Sequence, residues 1–71
     1  MSPDALEAAR LRYTAAYEAY QTATKHVAEK LATGLVPYAK EIDDEAKAAE
    51  QLAIARRELL DVMTTLAPPR H

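Results

Sequence analysis

The fold is decided by the stretch Thr33-Gly34-Leu35-Val36-Pro37, which separates two long helical patterns. Gly34 is the one glycine of the chain, and glycine is the residue that most readily ends a helix in the left-handed conformation. An apolar residue such as Leu35 often follows and folds back on the last turn. Pro37 suits the first turn of a new helix. The stretch therefore predicts a tight turn between two helices.

Signals near both ends of the chain define the outer limits of these helices. Ser2 is a favourable N-cap and Pro3 is favourable at the first helical position, while Pro68 and Pro69 end the second pattern. Asp43 is an alternative N-cap for helix 2, which would leave 34–42 as a long connection. The preferred interpretation is a single domain, 1–71, with helix 1 at about 3–33, a turn at 34–36, helix 2 at about 37–66 and a tail at 67–71.

The composition supports an all-α fold. Ala, Glu, Lys, Leu and Arg make up more than half of the 71 residues, a balance typical of long helices and coiled coils. Strand-forming residues do not alternate over any useful length. We therefore expect an antiparallel two-helix hairpin.

A heptad pattern predicts how the two helices contact each other. Its helix 1 positions are Leu6, Arg10, Tyr13, Tyr17, Tyr20, Thr24, Val27 and Leu31; its helix 2 positions are Tyr38, Ile42, Glu45, Ala49, Leu52, Arg56, Leu59, Met63 and Leu66. A turn near 34–36 places residues at equal height when their numbers sum to about 70. Tyr17 and Tyr20 would then pack on the small residues Ala49 and Ala53.

Charge and residue usage exclude several classes of function. The chain has no cysteine, which rules out disulfides and thiolate metal sites. It has 9 basic and 11 acidic residues, interleaved and with a net charge of −2, which argues against a nucleic-acid partner. No apolar run approaches the roughly 20 residues of a membrane span. We expect a soluble, cytoplasmic protein without a membrane partner.

Candidate chemical groups are few. His26 and Glu29 share a helical face, but one histidine outside the tail is too little for a metal site. The four tyrosines have no neighbouring base that the pattern specifies, and core packing explains them. The sequence therefore predicts no enzyme activity, cofactor, metal or small-molecule substrate.

The remaining expectation is association with another helical chain, because two helices alone bury little apolar surface. The first hypothesis is a protein-interaction or assembly module that dimerises into a four-helix bundle. The alternatives are an accessory subunit that completes a bundle with a different protein, and a nucleic-acid-binding hairpin dimer. The predicted interface residues are Leu52, Ala55, Leu59, Val62 and Leu66 on helix 2, with Leu11 and Ala15 on helix 1.

Overall fold

The structure, a computed structural model, describes residues 3–66. It contains two helices, α1 (Pro3–Ala32) and α2 (Ala39–Leu66), which pack against each other in a hairpin about 50 Å long. The prediction of an all-α hairpin is confirmed. The predicted cap at Ser2 and the predicted tail at 67–71 lie outside the described residues.

The end of α1 is built as its sequence predicts. Gly34 has a φ angle of 78°, which confirms the left-handed cap. The backbone N–H of Leu35 donates to the carbonyl of Lys30 at 2.8 Å, and that of Gly34 donates to the carbonyl of Leu31 at 3.1 Å. This pair of hydrogen bonds defines a Schellman motif, which satisfies carbonyls that the helix end would otherwise leave without a partner.

The start of α2 lies at Ala39, between the two starts that the sequence left open. Tyr38 is the N-cap: its carbonyl accepts from the backbone N–H of Ile42, and its own N–H donates to the Glu41 carboxylate at 2.8 Å. A glutamate that reaches back in this way forms half of a capping box. Pro37 therefore precedes the helix as a buried residue rather than starting it.

The contact between the helices is a narrow stripe that we call the hairpin interface. Its residues, all buried or half-buried, are Leu6, Ala9, Tyr13, Ala16, Tyr20, Ala23, Val27 and Lys30 on α1, and Glu41, Glu45, Ala48, Leu52, Ala55, Leu59 and Val62 on α2. Ala9, Val27 and Ala55 are its most buried apolar residues, at 0%, 8% and 6% exposure. Small residues at the centre of the contact let the two backbones approach closely.

This stripe is rotated on both helices from the predicted one, so the predicted packing is wrong in part. The predicted contact residues that the structure exposes are Arg10, Tyr17, Leu31, Tyr38, Ile42, Ala49, Arg56 and Met63. Tyr20 is half-buried as expected, but Tyr17 is 44% exposed, and Ala49 and Ala53 face solvent. The observed rotation keeps Arg10 and Arg56 hydrated, whereas the predicted one would desolvate two charges.

The relative height of the two helices agrees with the prediction. Arg12 Nε lies 3.0 Å from a carboxylate oxygen of Glu58, and Lys30 Nζ lies 2.5 Å from one of Glu41. The residue numbers in each pair sum to about 70, as a turn near 34–36 requires.

Candidate protein-interaction surface

The hairpin has two sides, which helical geometry separates on either edge of the hairpin interface. With 3.6 residues per turn, the residue just before a large interface residue lies on one side and the residue four after it lies on the other. Arg12 precedes Tyr13, Glu58 precedes Leu59, and the two form an ion pair. Equivalent positions of α1 and α2 therefore share a side of the hairpin.

The side that carries the Arg12–Glu58 pair is polar, and we call it the polar face. One of its grooves is lined by Ala19, Thr22, His26 and Asp44 among others, and a second by Ala15, Gln51 and Ile54 beside the ion pair. The side chains of Arg12 and Glu58 are about half exposed, and such an ion pair contributes at most about 1 kcal/mol. This face therefore combines charged groups with apolar side chains, among them the exposed Ile54.

The opposite side is uncharged over about half of its length, from the turn to the level of Tyr17 and Ala53. We call it the apolar face; it consists of Tyr17, Gln21, Thr24, Ala28 and Leu31 on α1, with Ala39, Ile42, Ala46, Ala49 and Ala53 on α2. None of these side chains is charged. All are exposed except Thr24, which is half-buried. Leu60 and Met63 continue the face beyond Arg56. Contiguous exposed apolar surface of this kind is typical of the surfaces at which proteins associate.

A cluster of three side chains fixes the turn end of the hairpin. The Lys30 ammonium contacts Glu41 and also lies 3.7 Å from the centroid of the Tyr38 ring. The hydrogen bonds from Lys30 and from the Tyr38 backbone lower the pKa of the Glu41 carboxyl below its ordinary value. The Lys30 ammonium and the Glu41 carboxylate are both engaged within the turn, so the cluster holds the two helices together.

The candidate chemical groups of the sequence are His26, Glu29 and the tyrosines. His26 and Glu29 are exposed and line an open groove with Lys30 and Glu41. Among residues 3–66 no group of three or more His, Asp or Glu side chains is placed to hold a metal ion. The rings of Tyr13 and Tyr17 stack with centroids 6.2 Å apart. Tyr13 and Tyr20 are half-buried, whereas Tyr17 and Tyr38 are 44% and 71% exposed, so core packing explains only the first two.

The predicted interface residues fall into three groups. Ala55 is buried and Leu52, Leu59 and Val62 are half-buried in the hairpin interface, where they have less area to offer to another chain. The side chain of Leu66 lies outside the described part of the chain. The two helix 1 residues, Leu11 and Ala15, are exposed away from the apolar face.

The apolar face is not among the surfaces predicted from the sequence. A sequence signal for it exists, because positions 39, 42, 46, 49 and 53 follow helical spacing and carry no charge in a helix rich in charged residues. Three of these positions, Ile42, Ala49 and Ala53, are instead predicted from the sequence to lie in the contact between the helices.

The chain matches no protein-family model, no curated protein and no solved structure. Within residues 3–66 neither helix is long and apolar enough to cross a membrane. The function must therefore be inferred from the surfaces that the hairpin presents.

Proposed function

We propose that this chain is a non-enzymatic protein-interaction or assembly module that acts as a homodimeric four-helix bundle. The observation that carries the proposal is the apolar face, which has no charged residue from Tyr17 to Leu31 on α1 or at its positions from Ala39 to Ala53 on α2. Burial of such a surface is the main favourable term in protein association.

The area of the molecule supports a second copy as the partner. A compact monomer of 7.8 kDa exposes roughly 4,400 Å², whereas this hairpin exposes 5677 Å², an excess of about 1,300 Å². A standard interface buries roughly 800 Å² on each partner. The hairpin also has no large side chain that is fully buried among its described residues. One further hairpin is the right size to complete this core.

Sedimentation equilibrium over a dilution series tests the proposal with two matched variants. Ala49→Glu places a charge on the apolar face, and Gln51→Glu places the same charge on the polar face two residues away. We expect a dimer whose association is weakened at least tenfold by Ala49→Glu and little changed by Gln51→Glu. A folded wild-type monomer at micromolar concentration would refute the proposal, as would equal effects of the two variants.

The alternatives remain distinguishable from the proposal. An accessory subunit that needs a different protein would be monomeric or aggregated alone. A nucleic-acid-binding dimer would associate with DNA or RNA in a salt-dependent manner; the Arg12–Glu58 pair, which neutralises a basic residue on the polar face, does not favour it. The proposal assigns no catalytic residue and keeps the cytoplasmic location expected from the sequence.

A further inference from the structure

We infer that the second copy docks on the apolar face with its two-fold axis parallel to the long axis of the hairpin. Both turns then lie at the same end of the dimer, and α1 of each copy lies against α2 of its partner. This inference rests on the proposed homodimer and specifies its interface and its orientation.

The residues of the apolar face lie in pairs, one on each helix, at equal height along the hairpin. The Arg12–Glu58 and Lys30–Glu41 pairs place residues at equal height when their numbers sum to about 70. At each height along the apolar face one helix presents a larger side chain and the other a smaller one. The pairs, larger residue first, are Tyr17 with Ala53, Gln21 with Ala49, Thr24 with Ala46, Ile42 with Ala28, and Leu31 with Ala39.

A two-fold axis can bring two such faces together in two ways, either parallel to the long axis of the hairpin or across it. When the axis is parallel to the hairpin, each residue of α1 meets the partner's α2 at the same height. Tyr17 then meets the partner's Ala53, and Ile42 meets the partner's Ala28. A larger side chain faces a smaller one at every level, so the two layers interdigitate at a uniform distance.

When the axis runs across the hairpin, α1 lies on the partner's α1 and α2 on the partner's α2, both reversed. With that axis at the middle of the apolar face, Ala46 would face the partner's Ala46, and Ala53 would face the partner's Ala39. Tyr17 would face the partner's Leu31, another large side chain. One half of the interface would be held apart by large side chains while the other half was left with gaps, and each gap loses packing energy.

The partner that best fits the apolar face is a second copy of the chain. Under this two-fold rotation the larger residues of one chain meet the smaller residues of its copy. An unrelated partner would have to reproduce this pattern residue by residue. The excess exposed area of about 1,300 Å² per chain relative to a compact monomer is enough for one such contact. Because the face is uncharged between residues 17 and 31 of α1, the docking of two copies brings no like charges together there.

Distances between spin labels test the orientation. The chain has no cysteine, so Ala32→Cys puts one label per chain at the turn end and Thr64→Cys puts one at the open end. Both positions are exposed and lie off the apolar face. In the inferred dimer each label pair is separated by about 20–30 Å, the width of the bundle. In a crossed dimer centred on the apolar face the Thr64 labels lie at least about 50 Å apart, because each is separated from the axis by a rise of about 1.5 Å per residue over about 18 residues. The Ala32 labels stay within about 30 Å in either dimer and report that the turn ends have assembled.

Short distances at both positions, together with weakened association in Ala49→Glu, are the expected result. A long distance between the Thr64 labels in an intact dimer would overturn the inferred orientation and leave the proposed function standing. A dimer that Gln51→Glu weakens more than Ala49→Glu would overturn the choice of face. A monomeric wild-type protein would overturn both the inference and the proposed function.

Discussion

Lys30 and Glu41 form a 2.5 Å ion pair across the turn, with only 25% and 23% of their side chains exposed. The same Glu41 oxygen accepts the Tyr38 backbone N–H that begins α2. One carboxylate therefore caps a helix and joins it to the end of the preceding one. A local cap and a tertiary contact depend on the same side chain.

Two substitutions separate these roles of Glu41. Glu41→Gln keeps an oxygen that can accept the Tyr38 N–H but removes the charge, whereas Glu41→Ala removes both. We expect the urea midpoint to fall in the order wild type, Gln, Ala, measured by circular dichroism at one protein concentration, since stability and association are linked. Glu50→Gln, on an exposed position without an ion pair among the described residues, should change little. Equal midpoints for Glu41→Gln and Glu41→Ala would exclude the capping role.

The contribution of Glu41 to stability should depend on pH. Its pKa is lowered in the folded chain, from an ordinary value of 4.5, by the Lys30 and Tyr38 hydrogen bonds. The carboxylate therefore stabilises the fold above pH 4.5, and that stabilisation is lost as the pH falls through the lower pKa of the folded state. The difference in urea midpoint between wild type and Glu41→Gln should narrow from pH 7 to pH 3. A difference that stayed constant would contradict this assignment.

Gly34 should be sensitive to substitution for backbone reasons alone. Its φ angle is 78°, and no atom lies within 4 Å of the place that a Cβ would occupy. Gly34→Ala should destabilise the hairpin by about 1–2 kcal/mol, the cost of a left-handed conformation for an L-residue. Gly34→Asn should cost less, because asparagine tolerates this region better. Thermal unfolding of the two variants measures the difference, and a larger loss for Asn would indicate steric contact instead.

Overpacking should distinguish the observed hairpin interface from the predicted one. Ala9 is fully buried, so Ala9→Leu should cost about 1–3 kcal/mol of unfolding free energy. Ala15→Leu, on an exposed position of the same helix, should leave the stability nearly unchanged. Equal losses at the two positions would mean that α1 is not rotated as described. Urea unfolding provides both values.

Thr24 offers a stabilising substitution. Its Oγ1 is buried and has no hydrogen-bond partner among the described residues, a state that costs about 1 kcal/mol or more. Thr24→Val keeps the shape of the side chain and removes the hydroxyl, so we expect the melting temperature to rise. Thr22→Val, whose side chain is exposed on the polar face, is the control and should have little effect. A lower melting temperature for Thr24→Val would show that the hydroxyl is satisfied in solution.

The sequence by itself determined the features that depend on local structure. Gly34 set the left-handed end of α1, since few other residues adopt that conformation at low cost. The position of this turn then set the height of Arg12 against Glu58. Helical periodicity and composition determined the two helices. The exact start of α2 was harder to predict, because it depends on the Glu41 carboxylate. That carboxylate accepts the Tyr38 N–H and also forms the ion pair with Lys30.

Only the tertiary structure decided how each helix is rotated. The chain carries two overlapping stripes with the spacing of a heptad, one through Tyr17 and Ala49 and one through Ala16 and Ala48. Adjacent stripes differ by a small rotation about the helix axis and have nearly the same local propensities, so the sequence pattern alone does not choose between them. The choice is made when the helices meet: the stripe with Ala9 and Ala55 lets the backbones approach, while the other would bury arginines. That rotation turned Tyr17 and Ala49 outward and created the apolar face.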